Sequence, residues 1–454
     1  MPTGKKAGKN ITAARDNVKG EGSVNNIIVI PIAICLFSYL AYRKWSPILL
    51  GPFMALLLVL ACRLPVLNTM LGPYLASSSN FVKNNFFVFF LGAIFGGIME
   101  LTGAAKSIAQ FMSGLTRGKC VLALIMTITG ILSYGGVSGF VVYFAIYPIA
   151  LHLCREANIS RALIPGAIVA GCWSWAMTMP GAPSVPNIIA MKELGTPSTA
   201  DAFAGFLFAG VLQYILVFAY LEWQGRRYSA RGQGFVADEY VESEIKAGEG
   251  KEVPPIALAL LPLVIIIVLF NVVHLAVEFA LLAGVIAAMV CMWKYGGGMD
   301  KWLEVCNKGA NNSATVILNT AMVVGFAGVM KETAAFSNLV AALGRISMNP
   351  LAYVAVTSGM CSAAAASASG GMGIALEAFK SSYLSLGVAP EVIHRIAVVA
   401  GGTFDSLPHT GGQITCLNIC RQTHKDAYIH MFMTECIIPT IIVIVLIIWH
   451  SMGF

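Results

Sequence analysis

The segment Phe404-Asp405-Ser406-Leu407-Pro408-His409-Thr410-Gly411 sets a carboxyl group, two hydroxyls and an imidazole inside an otherwise apolar stretch. Polar and ionisable side chains at membrane depth are costly and mark ion or substrate paths. Asp405 could carry a proton alongside an anion, or help hold a sodium ion. His409 lies one turn on, within reach of it, and an unperturbed imidazole titrates near neutral pH. The plainer role for Asp405 is a cap on N–H groups freed by a helix break; for His409 it is hydrogen-bonded packing. Gln413 and Thr415 follow at once. An earlier segment, Thr178-Met179-Pro180-Gly181-Ala182-Pro183-Ser184 with Asn187 just beyond, has the same character. Its prolines remove donors and block the preceding turn, so backbone groups are left open.

Two further interruptions are rich in Gly and Ser. Ser133, Gly135, Gly136, Ser138 and Gly139 form one; Ser367, Ser369, Gly370 and Gly371 form the other. Glycine lets backbone approach a ligand. A helix that starts at such a tip aims N–H groups and partial positive charge at whatever sits there. A pair of tips suits a carboxylate. Close helix packing through small residues is the competing use, and Ala363 to Ala368 has that look.

These features come in pairs. Gly97-Ile98-Met99-Glu100 recurs as Gly328-Val329-Met330-Lys331, the two Gly/Ser tips correspond, and Thr178 to Pro183 is echoed by Ser406 to Gly411. A duplicated hydrophobic chain broken in matching places is the mark of a secondary transporter. Of 454 residues, 57% are hydrophobic and 11% charged, where a soluble domain carries about 25% charged residues. Apolar runs of about 17–20 residues are long enough to cross the hydrocarbon. The net charge of +7 is assigned to loops that set orientation, not to nucleic acid. The 11 Cys form no Cys-x-x-Cys pair and no metal-ligand spacing; Cys416 and Cys420 share a helix face, as packing residues do. No cofactor, metal or catalytic residue is expected.

The elements that must position these groups follow from the apolar runs. Residues 1–25 are a polar tail of disordered composition. Repeat 1 covers 26–222, with spans at 26–42, 46–62 and 85–102, a re-entrant hairpin at 119–154, a broken helix at 160–193 and a span at 203–222. A charged linker occupies 223–253. Repeat 2 covers 254–450, with spans at 255–272, 276–293 and 312–331, a hairpin at 350–386, a broken helix at 391–420 and a span at 428–449. Five crossings per half turn the second copy over. The expected fold is therefore an all-α inverted repeat of ten spans and two re-entrant hairpins. With both termini outside, most of the 29 Lys and Arg fall in inside loops, as orientation requires.

The stretch from Ser367 to Ala378, the Phe404 to Gly411 segment, and Pro180-Gly181-Ala182-Pro183-Ser184 with Asn187 resemble the gluconate permease family, closest to its hydroxybutyrate-permease branch. The likeness runs over about 26–450. It departs at Thr410, where that family often has Asn. The resemblance implies cation-coupled symport, with a proton or sodium ion, of a small organic acid such as gluconate or 3-hydroxybutyrate. It also implies a place in the cytoplasmic membrane, among lipid, as a homodimer whose transport domain slides on a scaffold. On this reading the substrate carboxylate lies between the tips, held by N–H groups, Ser138 and Ser369. Its hydroxyl meets the breaks near Asn187 and Thr410, with Thr178, Gly181, Ser184 and Ser406 alongside, and Asp405 with His409 handles the ion. Two other classes compete. A sodium/proton exchanger would use the same breaks. Gly136-Val137-Ser138-Gly139 fits the Gly-x-Ser-Gly pattern of rhomboid-type proteases, with His409 as base, but leaves the second tip unexplained. Gly114 to Lys119 lacks phosphate-loop spacing and so gives no support to a nucleotide-driven pump.

Overall fold

A computed structural model describes residues 27–116, 119–134, 139–239, 241–242, 252–273 and 275–453. Every regular element among the described residues is helical, and the chain is an all-α polytopic membrane protein. The first half runs α1 (Val29–Tyr42), α2 (Pro47–Ala61), α3 (Val66–Leu101), α4 (Ala104–Thr116), α5 (Val121–Tyr134), α6 (Gly139–Glu156), α7 (Leu163–Thr178), α8 (Val185–Leu194) and α9 (Ala202–Ala230). The second runs α10 (Ile256–Asn271), α11 (Val277–Cys291), α12 (Met299–Glu332), α13 (Ala334–Leu343), α14 (Pro350–Ala365), α15 (Ala368–Leu384), α16 (Pro390–Phe404), α17 (Gly411–Ile419) and α18 (His424–Ser451). Both halves follow one order: two apolar helices, a long helix, a short one, a helical hairpin, an interrupted helix, and a long closing helix. Among the described residues, α3, α9, α12 and α18 are each long and apolar enough to cross a membrane.

The long helices begin earlier than the apolar runs at 85 and 312 suggest. Polar stretches such as Ser77 to Asn80 and Asn311-Asn312 stay helical because α3 and α12 pack along each other. Gly309 lies against Ile94, Gly325 against Tyr74 and Ser78, and Gly328 against Ser77. Tyr74 donates a hydrogen bond to the Met322 carbonyl at 3.0 Å. The short helices α4 and α13 fall outside the expected spans. Each buries one face only: Ala104, Ala105, Ile108 and Ala109 in α4, and Ala335, Phe336, Leu339 and Leu343 in α13.

The apolar interior forms two clusters. One gathers α5, α6 and α7 against α3; the other gathers α14, α15 and α16 against α1 and α2. Helix α12 joins both, giving Val316 and Ile317 to the first and Val323, Phe326 and Val329 to the second. Beyond the helices, Arg161 pins the loop after α9 through Asp238, at 2.9 Å. Burial raises the pKa of Asp238, but the Val241 N–H and the Arg161 guanidinium outweigh it and hold the carboxyl below its ordinary value.

The second hairpin turns in two residues. Ala366 takes the left-handed conformation, φ +52°, and Ser367 caps α15. The tip of the first hairpin, with Gly135, Gly136 and Ser138, lies outside the described residues, as does the tail 1–25.

Small residues hold the second hairpin together. A Cβ on Gly371 would sit 2.2 Å from the Ser362 Cα, whereas one on Gly373 would meet nothing within 4 Å. Gly371→Ala is expected to cost about 1–3 kcal/mol through overpacking and to lower the Tm measured in detergent. Gly373→Ala is expected to melt like the parent protein or slightly above it.

Candidate functional site

Helix α16 ends at Phe404 and α17 starts at Gly411, because Pro408 cannot continue the ladder. Asp405 stands in the gap, and its carboxylate reaches across to the second hairpin. Oδ2 accepts the Ala368 N–H at 3.0 Å, and Oδ1 accepts the Ser406 hydroxyl at 3.2 Å. Asp405 is thus a cap, but on α15 rather than on its own helix. The same helix start carries Ser367, whose hydroxyl accepts the Gly370 N–H at 3.2 Å and lies 3.2 Å from that of Ser369. Lys331, near the end of α12, brings its ammonium to this tip, 3.2 Å from where a Cβ on Gly370 would lie. The tip therefore combines a helix N-terminus, two hydroxyls and a cation, all favourable to an anion, with an internal carboxyl group already in place.

His409 does not pair with Asp405. It is fully buried, and its Nε2 donates to the Ala363 carbonyl at 3.0 Å in the last turn of α14. It satisfies a backbone acceptor at the hairpin, which corrects the expected contact with the carboxyl. Thr410 precedes α17 as its N-cap, and its buried hydroxyl has no protein partner among the described residues.

The first break is built differently. Gly181 takes φ +81°, which only glycine adopts without strain, and donates to the Ser198 carbonyl at 2.9 Å. Tyr134, ending α5, donates to the Pro180 carbonyl at 3.0 Å. Ser184 caps α8 and donates to the Met177 carbonyl at 2.9 Å. Thr178 donates to the Ser174 carbonyl at 3.0 Å. The Asn187 amide donates to the Met177 and Ala182 carbonyls and to Ser184, at 3.1, 3.2 and 2.9 Å. Its oxygen accepts from His394 at 3.0 Å and Arg395 at 3.3 Å. Nothing of Asn187 is left for a substrate hydroxyl, so in this arrangement it is a structural residue. Arg395 is fully buried and gathers the carbonyls of Thr178 and Ala200. His394 also bonds Thr196 at 2.7 Å.

The helices that lead into the two breaks, α7 and α16, touch. A Cβ on Gly402 would lie 2.7 Å from the Met177 methyl and 3.7 Å from Thr178 Cγ2. The contact is apolar packing. Gly139 is likewise close-packed, its Cβ position 2.2 Å from the Trp173 ring, and Ser133 is half-buried at the end of α5.

Open space lies elsewhere. A cavity of about 540 Å³ runs between α3, α6, α12 and the end of α17. Lys301, Glu304, Lys308, Asn312, Thr315 and Asn319 line it from α12, with Glu304 and Lys308 paired at 2.7 Å, a stripe of three- and four-residue steps about 27 Å long. Arg421 and Glu100 stand with the lysines at the lining, Glu100 paired with His152 at 3.0 Å. At the other end, Asn319 adjoins Thr320, whose hydroxyl meets that of Thr415 in α17 at 2.6 Å. None of the residues expected to bind substrate or ion lines this cavity, although Gly97 and Glu100 of the repeated motif do. The polar stripe on α12 was the available signal. Glu435, fully buried in α18, was also missed; its carboxyl accepts from Gln413 in α17 at 2.5 Å. The signal there was a lone acid inside an apolar span.

No family model matches the chain. It is 31% identical over 478 aligned positions to "Uncharacterized transporter YxjC" of Bacillus subtilis, covering 94% of this chain and 99% of that protein. An "Uncharacterized transporter" of Haemophilus influenzae is 27% identical over 345 positions, 71% of this chain and 75% of its own. An "Uncharacterized permease" of the same organism is 29% identical over 199 positions, 41% of this chain and 39% of its own.

Arg395 carries the test of the first break. Arg395→Ala is expected to cost about 3 kcal/mol or more, since bonds from a charged donor are worth about 1.5–3 kcal/mol each. Arg395→Lys should fall between, because an ammonium cannot span the same acceptors. Thermal unfolding in detergent reads both; an Ala variant melting like the parent would remove Arg395 from its place as the organiser.

Proposed function

This chain belongs to the family of the Bacillus subtilis transporter YxjC, and from that premise we propose that it is a secondary active symporter. It moves a small hydroxy-acid anion, such as gluconate or 3-hydroxybutyrate, together with a proton across the cytoplasmic membrane. The observation that carries the reading is the α15 N-terminus, where the Asp405 carboxyl group already occupies the Ala368 N–H beside Ser367, Ser369 and Lys331.

The mechanism is a competition for that helix start. An ionised Asp405 holds the N–H and repels a second carboxylate. Once Asp405 takes a proton, its claim on the N–H weakens, because a neutral acid is the poorer acceptor. The substrate carboxylate then takes the N–H, with Lys331 as counter-ion and Ser367 and Ser369 as donors. One anion and one proton move together without net charge. The 540 Å³ cavity is the substrate's way in or out on the cytoplasmic side. Lys301, Lys308 and Arg421 at its lining belong to the loops and helix ends where positive charge accumulates. The paired hairpins and broken helices form the moving body, α3 and α12 the scaffold, in an inverted repeat that works as a dimer.

Labelled acids offered to reconstituted vesicles test this. Uptake of gluconate or 3-hydroxybutyrate is expected to follow an inward proton gradient and to ignore a sodium gradient. Asp405→Asn should abolish accumulation while sparing exchange of substrate for substrate. If Asp405→Asn still concentrates the acid, the coupling assignment is wrong. Lys331→Met is expected to raise the apparent KM at least about tenfold, for the loss of one charge-assisted bond; an unchanged KM would remove it from the anion site.

A further inference from the structure

We propose that the inner half of the 540 Å³ cavity is a second binding station for the hydroxy acid, where Asn319 and Asn418 read the hydroxyl and Arg421, toward the mouth, takes the carboxylate. The station deepens the symport reading and rests on it for the identity of the acid.

Asn319 of α12 is 8% exposed and lines the cavity, and no protein group among the described residues bonds its amide. A buried amide without a partner is costly, so its place on this wall calls for an occupant. Asn418 of α17 lines the cavity too, and its Nδ2 has no protein partner among the described residues. The two meet because α12 and α17 are fixed against each other. Thr320, next to Asn319, meets Thr415 at 2.6 Å, and Asn418 lies one turn beyond Thr415 on the same face. Arg421 follows in the turn that ends α17, its N–H on the Asn418 carbonyl at 3.2 Å, and stands at the same lining.

These three groups fit one ligand chemistry. An amide both donates and accepts, as a hydroxyl does, whereas a carboxylate only accepts. A guanidinium offers the paired donors a carboxylate needs. Phe144, Pro148 and Leu151 of α6 add an apolar wall for the carbon chain. The acids near this space are each paired: Glu100 with His152 at 3.0 Å, Glu304 with Lys308 at 2.7 Å, and Asp238 with Arg161 at 2.9 Å. The volume lies in the range of about 300–1,000 Å³ usual for ligand pockets. Lys331 is about 18 Å farther along α12, at 1.5 Å per residue, too far for one small acid to touch both. The cavity station is therefore separate from the hairpin tip, and the acid rests there before or after it takes the α15 start.

Equilibrium dialysis of the full chain in lipid nanodiscs against labelled 3-hydroxybutyrate, and then gluconate, with no ion gradient, tests the station. Lys331→Met, which weakens the tip, is expected to keep one bound molecule per chain. Adding Asn319→Ala or Arg421→Gln to it should lower the affinity at least about tenfold, and butyrate, which lacks only the hydroxyl of 3-hydroxybutyrate, should compete at least about tenfold more weakly than 3-hydroxybutyrate itself. Asn319→Ala should melt like the parent in detergent, since it removes no protein bond; a marked fall in Tm would assign Asn319 to the fold and overturn its part in the station. A parent protein that binds while Lys331→Met binds nothing, or a Lys331→Met protein indifferent to both added changes, overturns the station and leaves the symport standing. Butyrate competing as well as 3-hydroxybutyrate removes the asparagines from hydroxyl recognition. A parent protein that binds neither acid ends the hydroxy-acid reading and the station with it.

Discussion

A helix interrupted inside an apolar body leaves backbone donors and acceptors that water cannot reach. Each one left unpaired costs several kcal/mol in hydrocarbon, so the interruption survives only where the protein supplies partners. The two breaks meet that demand in different ways. The first, between α7 and α8, has the Thr178 carbonyl held by Arg395 of α16, which also takes the Ala200 carbonyl beyond α8. The second, between α16 and α17, sends Asp405 to the start of α15 and His409 to the end of α14. The same requirement that keeps the breaks from collapsing also places a carboxyl, an imidazole and a guanidinium deep in the molecule.

Helix α12 shows how one element serves two purposes. Its apolar faces tie the two interior clusters together, while its polar stripe walls the cavity. Near its end, Lys331 reaches the second hairpin tip. A single rigid helix therefore connects the cavity with the anion-favouring tip. Any displacement of the hairpins against α12 changes what Lys331 touches.

The interruptions were legible because proline and glycine are local signals. The expected second break at 405–411 matches the gap between Phe404 and Gly411, and the first falls at Pro180 and Pro183 as read. Helix identities followed from apolar runs for the same reason. What sequence could not supply was direction. Asp405 was recognised as an acid at a break, but the N–H it caps lies 37 residues away in the chain. His409 is one turn from Asp405 and still turns to a different partner. Asn187 looked free, and its oxygen is taken by His394 and Arg395, which lie more than 200 residues on in the chain. Glu435 hid in a hydrophobic run that its single charge did not break, and the amphipathic starts of α3 and α12 fell below the hydropathy of a span.

Arg395 and the Thr178 carbonyl it binds are 217 residues apart. On a ribosome adding about 5–20 residues per second, that interval lasts roughly 10–45 s. Throughout it the first break waits without its guanidinium. The centre of this protein is thus completed late, however early its first helices enter the bilayer.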